Sequence, residues 1–383
     1  MDSSFMKKVY FVLTVILLGG VFLYLYPQHP NNKLNFQITL TPTPYTRPYF
    51  SKTDIPMPPK VPSAHAATLI YLENGDLLTA FFGGSREGAR DVKIYGSIYD
   101  VKKHKWSQPF IMLTKEELSQ KSHQYIKKLG NPVLYRDKNK IYLFVTGTNI
   151  GGWATSKIYQ LYMYNFIPNK NFTYQGTLQL SPFLNISNLV RSIPVKTNDG
   201  GFYLPIYHEL ADKYALILKF DSSGKLTSII KPNGLHRQLQ PSLSPISDSS
   251  CLVVFRNHDR YDNTMFSQIC LKGGERWLKP EMTNIKNYNN SANLINFNKD
   301  IYLIHNTLDL NPNLERGTLT LSKMMSPTEF KKIFDLDHTT SPNGEVSYPT
   351  TITDGDNIDI VYTYNRKNIR HIRFNRSYLK ARQ

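Results

Sequence analysis

One phrase recurs six times in this chain: an alternating apolar run, a short polar turn, and a second apolar run ending in polar residues. The copies read ATLIYLENGDLLTAFFGG from Ala67, NPVLYRDKNKIYLFVTGT from Asn131, SIPVKTNDGGFYLPIYHE from Ser192, PSLSPISDSSCLVVFRNH from Pro241, ANLINFNKDIYLIHNT from Ala292 and YPTTITDGDNIDIVYTYN from Tyr348. Alternation is the period of a strand with one buried face, and the Gly, Asn and Asp between the runs suit tight turns. Successive starts lie 64, 61, 49, 51 and 56 residues apart, room for about four short strands plus loops. A single sheet of that size cannot cover its apolar faces, so the copies must stack on one another. Six such units predict an all-β, six-bladed β-propeller. A linear solenoid would have shorter, more even repeats and would need a cap at each end.

The repeats extend from about residue 64 to 375, so one large domain accounts for most of the 383 residues. Tyrosine outnumbers phenylalanine, 25 to 20, which suits strands first and sugar-stacking surfaces second. Lys and Arg exceed Asp and Glu by 46 to 29, but the excess is scattered rather than gathered into an arm, which argues against nucleic acid as a partner. It is consistent with an anionic substrate or envelope, and equally with a generally basic proteome. The two cysteines, Cys251 and Cys270, have no metal-ligand spacing and are expected as buried free thiols, with a single disulfide between them as the alternative for a domain outside the cytoplasm. No phosphate-binding loop, paired-histidine metal motif or EF-hand loop is present, so no cofactor is expected.

Ahead of the repeats, Lys7 and Lys8 precede an uncharged run from Val9 to Tyr26. Its length suits a membrane span, and Pro27 follows where a small-residue cleavage site would be needed. The expectation is a cytoplasmic segment over 1–8, a signal anchor over 9–26, a tether over 27–62, the propeller over 63–375 on the extracytoplasmic side, and a basic tail over 376–383. A strand around Asn35 to Leu40 is expected to close the ring by pairing with the last blade.

In a propeller the turns inside the repeated hairpins lie on one face, so residues before the first strand and after the second share the other. That second face collects His65, Arg86, Glu87 and Asp91 from the first repeat, and Asn131 and Trp153 from the second. Arg191, Tyr207, His208 and Glu209 come from the third, and Gln240, Arg256, His258 and Asp259 from the fourth. Ser291 and Asn306 come from the fifth, Tyr348 and Arg366 from the sixth. Each has an ordinary structural use as a strand cap or inter-blade partner. Their convergence at one funnel mouth points to a ligand site.

The six-repeat plan, with HAATLIYLENGDLLTAFFGGSREGARD from His65, LPIYHE from Leu204 and EVSYPTTITDGDNIDIVYTYNRKNIRHIRF from Glu345, resembles the sialidase (neuraminidase) superfamily in its bacterial BNR-repeat-like branch. YDVKKHKW ending at Trp106 and CLKGGERW ending at Trp277 resemble worn copies of that family's S-x-D-x-G-x-T-W turn. The resemblance implies an exo-acting glycosidase that removes a terminal acidic sugar. It implies an arginine cluster for the sugar carboxylate, drawn from Arg86, Arg191, Arg256 and Arg366, because a planar guanidinium can bind both oxygens. It also implies a tyrosine nucleophile, here Tyr348, with Glu209 as its base and Asp91 as the acid, and Glu87 or Glu345 as alternatives for the base. His65, Glu87, Tyr207 and Trp153 complete the substrate-binding set. The family's first arginine has no clear counterpart here beyond Arg47.

Two further readings stay open. Tyr207 and His208 suit the base and acid of a lyase acting on a uronic-acid glycan with the same propeller. A propeller that binds a glycan or protein without catalysis is the third. Oligomeric state is not legible.

Overall fold

The computed structural model describes residues 3–25, 35–38, 46–259 and 261–383. The chain divides into an N-terminal unit, residues 1–33, and a second unit holding everything from Leu34 onward. Residues Ser3–Leu25 of the first form one helix. Among the described residues no helix is long and apolar enough to cross a membrane. The expected anchor over 9–26 is therefore not supported. Tyr26 lies outside the described residues.

Among the described residues the second unit forms six antiparallel sheets of four or five strands, one per repeat. Their innermost strands are Ser63–Tyr71, Lys128–Asp137, Asn188–Val190 with Val195–Lys196, Gln238–Pro245, Asn293–Phe297 and Val346–Thr353. Each pairs with the second run of its repeat, as the hairpin reading requires. Outer strands then complete each blade.

Apolar faces meet between blades, and among the described residues the six larger buried clusters each fill one inter-blade gap, with a small seventh at Leu189, Tyr207 and Leu239. Leu78, Ile94, Leu134 and Leu161 fill the gap between blades one and two. Phe144, Phe202 and Phe220 fill the next, with Phe202 and Phe220 stacked at 4.6 Å. Ile217, Val253 and Phe255 join blades three and four, and Val254 and Leu303 join four and five. Ile304, Leu321, Ile360 and Phe374 join five and six, and Leu69, Phe81 and Val361 close six onto one. At roughly 1.5–3 kcal/mol for each large side chain taken from water, these interfaces dominate the stability.

Ring closure differs from the expectation. The strand that completes blade six is Phe50–Asp54, paired antiparallel with Asn368–Asn375. Phe36 instead forms a single bridge to Thr197 of blade three, and Leu40 lies outside the described residues. Lys52 and Arg370 fasten the seam to the buried Asp337 at 2.6 and 3.0 Å, and Arg370 also reaches Asp54 at 2.7 Å. Part of the stretch read as tether therefore belongs to the domain. The supposed basic tail likewise contributes a short helix, Arg376–Lys380, with Leu379 buried and Tyr378 against Phe50.

Cys251 and Cys270 are not free thiols. They face each other across adjacent strands with Cα atoms 5.0 Å apart and form a disulfide. The antiparallel register alone brings them within bridging distance. The worn turns act structurally: Asp100 Oδ1 accepts from the backbone N–H of Lys102 and Lys103, and Trp277 donates to the Gly274 carbonyl.

Candidate functional site

Four inner strands begin with a register slip at a left-handed residue, one of them at Ala66 of blade one, and the other three share a further feature. At Gly130–Pro132, Leu239–Ser242 and Ser347–Thr350 the register slips, and Asn131, Gln240 and Tyr348 take φ of 37°, 42° and 57°. Each precedes a proline, which has no N–H to give to the ladder and is tolerated at a bulge. A left-handed non-glycine residue is costly, and bulges commonly re-aim a side chain. Here the three are brought together: Asn131 Nδ2 and Gln240 Nε2 each donate to Tyr207 Oη at 3.2 Å, and Gln240 Nε2 also reaches Tyr348 Oη at 3.4 Å.

Cations surround Tyr348. Arg256 donates Nη1–H to Tyr348 Oη at 2.8 Å and is held by Asn289 Oδ1 at 2.7 Å. Arg316 lies 5.8 Å from the Tyr348 ring centre, fixed by Asn290 Oδ1 at 2.7 Å, the Asn289 carbonyl and Glu345 Oε2 at 3.3 Å. Arg366 bridges Glu87 and Glu345. Burial alone would raise the phenol's pKa, but the Arg256 and Arg316 charges, with the Gln240 hydrogen bond, pull it below its ordinary value. Burial and the nearby Glu209 charge hold Tyr207 well above it.

Arg191 serves differently. Fully buried, it donates to the carbonyls of Tyr348 at 2.5 Å, Pro349 at 3.0 Å and Ala67 at 3.4 Å, and to Thr350 Oγ1 at 2.9 Å. Burial pushes its pKa down to about 10. It braces the bulge that presents Tyr348 and ties blade three to blades six and one.

His65 sits beneath the phenol, ring centres 4.2 Å apart, and neither ring nitrogen has a hydrogen-bond partner. Burial first, then the charges of Arg366 and Arg316, hold its pKa well below the usual value, so the imidazole is neutral. Its 3.7 Å separation from Glu345 is accordingly not an ion pair. Four arginines (191, 256, 316 and 366) share the cluster with two engaged carboxylates, Glu87 and Glu345, an excess of positive charge that suits an anion.

Other expected residues fall outside this cluster. Arg86 is exposed, and Arg47 meets Asn375 through its carbonyl. Asp91 is exposed and accepts from the Ser85 N–H and hydroxyl at 2.9 Å. Slight burial opposes these bonds but they prevail, so its pKa is lowered, the wrong direction for a resting general acid. Neighbouring residues of a strand point to opposite sides, so Tyr207 enters the cluster while His208 stacks on Tyr214 at 4.9 Å, its pKa lowered by burial. The two cannot act as a base and acid on one ligand. Glu209 makes no side-chain hydrogen bond among the described residues, although its charge acts on Tyr207 and Arg256. Trp153 lies on the rim against Gly130, where a Cβ would come within 2.6 Å of its ring. Asn306 is structural, donating to the Thr318 and Val346 carbonyls.

Arg316 escaped the sequence reading. It stands in the long loop between Asp300–Thr307 and Thr318–Ser326, past the strand end where the other site residues cluster. Its only advance signal is that this loop, like those carrying Arg86 and Trp153, follows the second strand of its repeat.

The BNR repeat-like domain model matches residues 75–360. A search of curated protein sequences finds no match. Among solved structures the chain is similar to Trypanosoma rangeli sialidase, at 11% identity and a TM-score of 0.66 over 88% of this chain and 61% of that one. It is similar to a Hadza microbial sialidase at 13% identity and 0.62, over 81% and 65%. A Dyadobacter fermentans protein of unknown function matches at 10% identity and 0.63, over 85% and 97%. The chain thus spans less than two thirds of either sialidase. The Trypanosoma enzyme is also matched in its complex with sialic acid.

Proposed function

The chain belongs to the BNR repeat-like domain family and has the fold of the sialidases, and from that premise we propose a sialidase-like exo-glycoside hydrolase that removes a terminal acidic sugar from glycans. The observation that carries this reading is the set of three arginines, Arg256, Arg316 and Arg366, gathered around one buried phenol. Guanidinium groups suit a sugar carboxylate, because their planar fork can bind both of its oxygens. In the proposed reaction the ionised Tyr348, its phenolic proton already released to solvent, attacks the anomeric carbon through Oη. The glycosidic C–O bond breaks with its electron pair on the leaving oxygen, which takes a proton from Asp91. Water, giving one proton to the Asp91 carboxylate, then attacks the anomeric carbon of the glycosyl intermediate and displaces Tyr348 as the phenolate. A substrate lying over the exposed Asp91 would strip its water and raise its pKa toward an acid's working range.

An extracytoplasmic location belongs to the same proposal. The Cys251–Cys270 disulfide suits an oxidising compartment, and the uncharged run after Lys7 and Lys8 suits export. Membrane attachment through that run would show as retention of the full chain in membranes washed with alkaline carbonate, and release would refute it.

A second reading is favoured by one detail: the direct side-chain partners of Tyr348 Oη are an arginine and a glutamine. An ionised Tyr348 could instead abstract a proton beside a uronate carboxylate and act as a lyase. Fluorogenic sialosides and uronic-acid polymers, assayed for released fluorophore and for ultraviolet-absorbing unsaturated sugar, separate the two. The hydrolase reading expects fluorophore release lost in Tyr348→Phe. It also expects kcat/KM lowered about 10- to 150-fold in Arg316→Ala, the loss of a charged hydrogen bond of ~1.5–3 kcal/mol. Unsaturated product alone would move the protein to the lyases, and silence with every substrate would leave a binding propeller.

A further inference from the structure

Donors face the phenolic oxygen of Tyr348. Arg256 Nη1 stands 2.8 Å away and Gln240 Nε2 3.4 Å away. Neither a guanidinium nor an amide nitrogen can take a proton from the phenol. The two carboxylates of the cluster are occupied: Glu87 by Arg366, and Glu345 by Arg316, Arg366 and the Ser347 hydroxyl at 2.7 Å. Among the described residues no carboxylate is bonded to Tyr348 Oη. A neutral phenol here would have two donors pointing at it and no acceptor for its own hydrogen, whereas a phenolate satisfies both donors.

We propose that Gln240 is a positioning residue which, with Arg256, holds Tyr348 as a phenolate, so that its proton is released to solvent and no carboxylate base is required. This rests on the reading of Tyr348 as the reacting group. Gln240 is 3% exposed, and its left-handed backbone at φ 42° is followed by Pro241, so its amide is held between the two phenols rather than turned to water. The same amide touches Tyr207 Oη at 3.2 Å. Tyr207 has no arginine hydrogen-bonded to it, and burial keeps it protonated, so one amide spans one neutral and one charged phenol. The pull of Arg256 and Arg316 acts in the same direction on Tyr348. Ionisation is simple in its balance: the O–H bond breaks, the electron pair stays on Oη, and the proton leaves to water.

A titration tests this without turnover. Tyrosinate absorbance of the full chain is followed against pH, and the difference between wild type and Tyr348→Phe isolates one phenol. The expected result is a single tyrosine ionising below the ordinary value of about 10 and absent from Tyr348→Phe. Gln240→Glu, which sets a carboxylate against the phenolate, should move that midpoint up by about one unit or more, roughly tenfold in ionised fraction at a given pH. Gln240→Leu, which removes a donor, should move it up by less. A wild type with no tyrosine ionising below the ordinary range overturns the proposal, and this comparison needs no Gln240 variant to fold. An unmoved midpoint in a folded Gln240→Glu overturns it too. So does a lowered midpoint in Gln240→Leu, which would mean the amide carbonyl had been accepting the phenol's proton. A lowered midpoint in a protein inactive on every sialoside would sink the hydrolase reading and leave this one standing.

Discussion

Replacing Arg191 by methionine should cost stability before it costs ligand affinity. The side chain is enclosed, and its guanidinium makes four hydrogen bonds, three to backbone carbonyls. Methionine keeps most of the length and packing but donates nothing. The Ala67 carbonyl would retain Thr350 Oγ1 at 2.8 Å, whereas the Tyr348 and Pro349 carbonyls would lose the donor bonds described above. Two buried acceptors left unpaired cost about 1–3 kcal/mol each. Against that, removing the buried charge relieves a desolvation penalty, visible in the depression of its pKa to about 10 and worth roughly 3 kcal/mol. The bulge at Tyr348 also loses its support, a strained conformation holding about 1–3 kcal/mol. The balance is a destabilisation of about 2–4 kcal/mol. At a urea slope of about 3 kcal/mol per molar, the unfolding midpoint of the full chain should fall by about 1 M. Arg191→Lys, with one compact charge unable to span the same carbonyls, should fall between. An unchanged midpoint together with a tenfold weaker affinity for an anionic sugar would refute this reasoning and return Arg191 to the ligand.

Asp359 lies fully buried between Tyr71, His371 and Arg373, at 2.6, 2.8 and 2.8 Å. Burial opposes ionisation, but these partners prevail and lower its pKa, so its stabilisation is present above the unfolded value of about 3.9 and is lost as pH falls through the folded one. Asp359→Asn should therefore lose about 3–5 kcal/mol at neutral pH and show a shallower acid limb in a stability-against-pH series, and parallel limbs would contradict this. For the disulfide, whose cysteines are 19 residues apart, Cys251→Ala with Cys270→Ala should lose about 3 kcal/mol in denaturant unfolding, with reductant making no further difference. A double variant as stable as the oxidised protein would show that the bridge is mechanically idle.

The blades were legible because a hairpin with one buried face writes its period into local sequence. Ring closure was not. FSKTD at residues 50–54 is short and mostly polar, its partner lies more than 300 residues away, and nothing local marks that pairing. Tyr348 could be found from its place at the head of an inner run. Its surroundings could not, because Arg316 comes from an irregular loop and Arg191 looks in sequence like any other rim arginine. The bulges left a faint trace in Asn131–Pro132, Gln240–Pro241 and Tyr348–Pro349, three residues before prolines at equivalent places. His208 and Glu209 were drawn toward the site by proximity to Tyr207, and strand alternation sends His208 to the other side. The cysteines were misread because chemistry was judged from spacing, whereas register decided it.

The seam between Phe50–Asp54 and Asn368–Asn375 sets an order of events for a chain made from its N-terminus. The first strand of the domain to emerge waits for nearly the last, and meanwhile blade six exists only as its outer strand while the faces of blades one and five lack a neighbour. Five blades can assemble locally, yet the non-local contacts that reward closure arrive only at the end of synthesis. A nascent chain would thus carry a sticky, unfinished wheel through translation or export, and losing a few residues at either end of the domain would leave it unfinished for good.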